Sequence, residues 1–125
     1  MPPKRIPADV GRRAVAEALE ARAPAPRDTI ATAVRYLLQL LAESAEGNTV
    51  EIRVPPFGAV QAIQGPRHTR GTPPNVVEMN AATWLGLATG SLTWAAAVAD
   101  GLVAASGSRA DLGDYLPVAW ETIDE

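Results

Sequence analysis

Between Thr29 and Val54 the apolar residues change period, and that change limits the fold more than any other feature of the chain. Ile30, Ala33, Val34, Leu37, Leu38, Leu40 and Leu41 recur at the spacing of one helical face. A few residues later Val50, Ile52 and Val54 alternate with Glu51 and Arg53, the period of a half-buried strand. Asp28 is a cap candidate for the helix, which is expected over Thr29 to Glu46, with Gly47-Asn48 closing it. The four leucines make its apolar arc wider than one packed face requires. A second burial partner is therefore expected: a bound ligand, another subunit or the preceding helix.

Punctuation residues divide the rest. Asp9 is a cap candidate for a helix over about Val10 to Arg22, stopped by Pro24 and Pro26. Pro55-Pro56-Phe57-Gly58 is a turn, and Ala59 to Gln64 is the expected hairpin partner of the first strand. Gly65 to Pro74 is a loop, and Asn75 to Met79 a short third strand. Asn80 caps a helix to Thr89 that ends at Gly90. Thr93 caps a second, to Asp100, that ends at Gly101. Leu102 to Ala105 is a fourth strand, Ser106-Gly107 turns the chain, and Ser108 is expected to cap a last helix that Pro117 stops. The resulting fold class is α+β: a mostly antiparallel twisted sheet of four to five strands, covered by helices on one face. In domain terms residues 1–7 are an expected disordered N-terminus, 8–118 a single domain, and 119–125 an acidic tail.

Composition narrows the function. At 125 residues, 47% hydrophobic and 20% charged, the chain is long and apolar enough for one packed domain. It has no cysteine, which excludes a disulfide framework and a thiol nucleophile. No apolar run approaches the ~20 residues of a membrane span, and the basic N-terminus lacks the apolar stretch of a signal peptide, so a cytoplasmic location is expected. The net charge of −3 is divided unevenly: +3 over residues 1–70 and −6 over residues 71–125. An acidic total of this kind does not suit a nucleic-acid binder.

Polar residues that cap helices and turn the backbone dominate the second half, and no catalytic cluster emerges. Arg67, His68 and Arg70 form the sharpest polar group. On a loop bounded by glycine and proline they suit a carboxylate or phosphate head group. His68, the only histidine, lacks a second ligand or a nucleophile nearby, so no catalytic residue, no metal site and no cofactor is assigned.

The run from Trp84 to Gly107, WLGLATGSLTWAAAVADGLVAASG, resembles the C-terminal signature of the sterol-carrier-protein family: helix, glycine-leucine turn, helix ending in glycine, strand ending in glycine. It is also similar to the C-terminal domain of actinobacterial mycothiol-dependent isomerases. The likeness is nearest to small stand-alone actinobacterial proteins of the sterol-carrier family, where it extends over nearly the whole chain, including the Gly65 to Asn75 loop. The resemblance implies a twisted five-stranded sheet with helices on one face and, between them, an apolar tunnel for lipids, fatty acids or their thioesters.

On that basis the chain is expected to be a non-enzymatic module that binds a hydrophobic or amphipathic small molecule, with a fatty acyl chain as the natural cargo. The cavity is expected to be lined by Ile30, Val34, Leu37, Leu41, Val60, Leu85, Trp94, Val98 and Val103, with Arg67, His68 and Arg70 at an anionic head. The alternative is a protein-protein interaction domain, or an accessory domain to a thiol-dependent enzyme, with a core filled by its own side chains.

Overall fold

The computed structural model describes residues 5–20, 25–65 and 75–121. In chain order they form α1 (Ala8–Glu20), α2 (Arg27–Ser44), β1 (Val50–Val54), β2 (Gly58–Ala62), β3 (Asn75–Glu78), α3 (Ala81–Thr89), α4 (Trp94–Ala99) and β4 (Ala104–Ser106), then a 3₁₀ turn over Gly113–Tyr115. This is an α+β fold with an open sheet in the order β2-β1-β3-β4.

The sheet is mixed. β1 pairs antiparallel with β2, Ile52 opposite Val60, and β3 antiparallel with β4, Val77 opposite Ala105. Between them β1 and β3 run parallel, Ile52 opposite Val77. A meander would have put β3 on the outer side of β2. Instead the chain leaves β2 through Ile63, whose φ of 73° is a costly left-handed conformation for a β-branched residue. The Ile63 N–H donates to the Ala45 carbonyl (2.7 Å) and its own carbonyl accepts from Thr49 N–H (3.1 Å). β1, the strand with the cleanest apolar alternation, takes a central place.

One sheet face is apolar. Val50, Ile52, Val54, Ala62 and Val77 are buried against the helices. The opposite face holds Glu51, Arg53 and Glu78, with Arg53 paired to Glu51 at 2.6 Å and within 4.0 Å of its cross-strand neighbour Glu78. α2 packs on β2 and α3, and its outer arc is covered by α1. The second burial partner of the leucine helix is thus the preceding helix. The two come close because Gly11 lacks a side chain: a methyl there would overlap the Tyr36 ring. The core joins Val15 of α1, Val34, Leu37, Leu38 and Leu41 of α2, the sheet residues, and Trp84 and Leu87 of α3.

Several element ends differ from the sequence reading. α1 begins at Ala8 with Asp9 inside its first turn. α2 begins at Arg27 after Pro26, with no side-chain cap, so Asp28 lies in the first turn rather than at the cap. Ahead of α1, Gln39 accepts the Ile6 N–H (2.8 Å) and donates to its carbonyl (3.0 Å), which ties residues 5–7 of the expected frayed segment to α2. The fourth strand falls at Ala104–Ser106, so Ser106 pairs with Val76 instead of turning the chain.

The expected last helix does not form. Arg109 N–H is taken by the buried Asn75 side chain (2.8 Å), and Asp111 Oδ1 accepts from Gly113 N–H (2.8 Å). Local side-chain acceptors of this kind compete with helical hydrogen bonds. Gly113 weakens the helix further.

Candidate functional site

The site is built where two capped helices meet that non-helical segment. Asn80 Oδ1 accepts the Thr83 N–H (2.8 Å) and starts α3. Trp84, fully buried, donates its indole N–H to the Val34 carbonyl (3.2 Å), which fixes α3 to α2. Gly90 ends α3 with φ of 92°, and both its N–H and that of Leu92 reach the Gly86 carbonyl. This left-handed closure turns the chain sharply. Thr93 then caps α4 through the Ala96 N–H (3.1 Å), which puts Trp94 in the first turn.

The returning segment crosses this corner. Leu112 is fully buried and anchors it, and Val118 N–H donates to the Ala88 carbonyl (2.9 Å). Between this segment and the α3–α4 corner lies a half-open cavity of about 500 Å³. Leu87, Leu92, Trp94, Leu116 and Pro117 give it apolar walls, and Thr93, Asp111 and Asp114 lie at its polar margin. Its volume falls inside the range of about 300–1,000 Å³ typical of small-molecule sites.

Of the nine residues expected to line a tunnel, eight lie in or against one apolar core. Val34, Leu37 and Leu41 have no exposed surface and belong to the core. Ile30, Val60, Leu85 and Val103 are half-buried around it, while Val98 is exposed on α4. Trp94 lines the cavity. Arg67, His68 and Arg70 lie outside the described residues. Phe57 sits half-buried at the hairpin, its carbonyl accepting from Arg35 Nε (2.7 Å) and its ring under the Arg27 guanidinium at 5.2 Å.

Sequence reasoning missed Leu87, Leu92, Asp111, Asp114, Leu116 and Pro117 as a group. The available signal was Asp111-Leu112-Gly113, an Asx turn followed by glycine, which argues against a helix there. It also missed Asn75, a buried side chain that donates to the Thr49 carbonyl (3.0 Å) while holding Arg109. Asn75 thereby links the start of β1 to the segment after β4.

Among the described residues no helix is long and apolar enough to cross a membrane. No curated protein matches the chain. A family model described as "Bacterial SCP ortholog" matches residues 26–118, from the start of α2 to the anchor of the returning segment. The α+β architecture and the match over most of the chain agree, and the protein belongs to this family of bacterial sterol-carrier-protein orthologs.

Proposed function

We propose that this protein binds a hydrophobic or amphipathic small molecule, an acyl chain or another lipid tail, in the cavity between α3, α4 and the returning segment. The observation that carries this reading is the cavity itself: about 500 Å³ with walls of leucine, tryptophan and proline, on a chain of the sterol-carrier family. Burying an alkyl chain there is favourable by about 0.8 kcal/mol per methylene removed from water, so a tail of several carbons is enough for measurable affinity. Trp94 supplies a built-in reporter, because its half-buried indole borders the cavity.

The test is a titration with dodecanol, a neutral single-chain probe, followed by tryptophan fluorescence. A saturable change is expected at micromolar probe, and it is expected to be lost in Ala95→Trp, which plugs the cavity from its lining. No saturable change in the parent protein, together with no lipid retained in native mass spectra of protein from its own host, would overturn the reading. A change that persists in a folded Ala95→Trp protein moves the ligand elsewhere.

Val98 and Leu102, 49% and 43% exposed on α4 and in the turn after it, favour a second reading as a protein-docking face. That reading gains if dodecanol leaves the fluorescence unchanged.

A further inference from the structure

The cavity has a sign as well as a size. Its margin carries two carboxylates, Asp111 and Asp114, both exposed, and no basic side chain of the described residues lines it. Asp111 spends one oxygen on the Gly113 N–H and keeps its charge and its second oxygen. Asp114 has no side-chain hydrogen bond or ion pair among the described residues.

The turn that bears them passes against Trp94: a methyl on Gly113 would come 3.3 Å from Trp94 Cδ1. The same methyl would lie 3.1 Å from Asp111 Oδ1, so Asp111 and Trp94 border one part of the margin, and Asp114 lines the same cavity. That combination recognises an ammonium group, through attraction to the ring face and charge-assisted hydrogen bonds or ion pairing. The first turn of α4 also lines the cavity and opposes this, but a helix end carries at most about half an elementary charge, against two full negative charges here.

We infer that the cavity selects amphipathic cations, single-chain amines or quaternary ammonium compounds, over fatty acids. The tail lies among Leu87, Leu92, Leu116 and Pro117, and the ammonium head at Asp111 and Asp114 beside Trp94. This inference rests on the cavity being the ligand site.

Its test compares dodecylamine, dodecanol and dodecanoate, equal in chain length, at pH 7 and below their micelle concentrations. Exposed ion pairs and an exposed cation–ring contact each contribute a few-fold, so dodecylamine is expected to bind about five- to tenfold more tightly than dodecanol, with dodecanoate weakest. The preference is expected to shrink as salt rises from about 0.05 to about 0.5 M. In Asp111→Asn/Asp114→Asn the dodecylamine-to-dodecanol ratio is expected to fall to the few-fold or less that the Trp94 ring alone supplies, and asparagine at 111 keeps an oxygen that can accept from Gly113.

Dodecanoate binding as tightly as dodecylamine would overturn the inference and turn attention to Arg67, His68 and Arg70. A preference undiminished in the double variant would overturn it as well. In both cases dodecanol binding leaves the ligand site itself standing. Failure of all three probes to bind removes the site, and the head-group preference with it.

Discussion

The two ends of α3 lie in different environments. At its start Trp84 is sealed among α2 and sheet residues, with its indole N–H satisfied by the Val34 carbonyl. Just beyond its end Trp94 is half-buried, bordered by a cavity and by a segment that failed to become a helix. The first region follows from periodicity: an amphipathic helix and an alternating strand bury one face each and meet. The second follows from interruption, since Gly90, Gly101 and Gly113 and the caps between them prevent any element from growing long enough to fill the corner. Packed regions confer stability, and interrupted ones leave room for a ligand.

The sharpest way to break this comparison is to truncate both tryptophans. Trp84→Ala is expected to cost about 3–5 kcal/mol, because it opens a cavity in a closed core and removes the indole bond to the Val34 carbonyl. Trp94→Ala is expected to cost about 1 kcal/mol, since half of its surface term is already forgone. Urea unfolding of the two variants measures both. Equal losses would mean that the α3–α4 corner is as tightly packed as the centre, and the distinction between the regions would fall.

A second substitution tests how closely the packed region is built. On an open helix surface Gly→Ala stabilises by up to about 1 kcal/mol. At Gly11 the added methyl overlaps the Tyr36 ring, which is itself buried. Gly11→Ala is therefore expected to destabilise by about 1–3 kcal/mol, the usual cost of overpacking. Paired with Tyr36→Leu, which removes the ring, part of the loss should return. A stabilising Gly11→Ala alone would show that α1 rides loosely on α2.

Which parts were legible in the sequence follows from the range of the interactions. Asn80, Thr93, Gly90 and Gly101 act on backbone groups within a few residues, so their roles could be read directly from the chain, and the structure places each as expected. The leucine period of α2 and the alternation of β1 were legible for the same reason. The parallel β1–β3 pairing was not, because it depends on where the chain travels after Ile63. Nor was the course of the returning segment, which is preceded by the bond of Arg109 to Asn75, 34 positions earlier. The candidate cavity joins the α3–α4 corner to residues well separated from it in the chain, so sequence reasoning found Trp94 but not the residues facing it.

The smallest expected effect lies at the margin of the packed region. Arg5 donates to Glu43 through Nε (2.6 Å) and Nη2 (2.9 Å), fastening the residues before α1 to the outer face of α2. The hydrogen bond from Arg5 holds the Glu43 carboxyl below its ordinary value of 4.5, burial opposes it, and the charge of Arg5 adds a lesser lowering. A carboxylate depressed in the folded state stabilises at pH values above its unfolded value and loses that contribution as pH falls through the folded value. Both partners are largely exposed, at 61% and 44%, so the pair is worth about 0.2–1 kcal/mol at neutral pH. Glu43→Gln is expected to lower stability by that amount at pH 7, by progressively less below about 4.5, and by nothing once the parent carboxyl is protonated. The same difference should shrink in about 0.5 M salt, where exposed charges are screened. A loss of several kcal/mol, or one that persists at low pH, would place the Arg5 segment inside the packed region rather than at its edge.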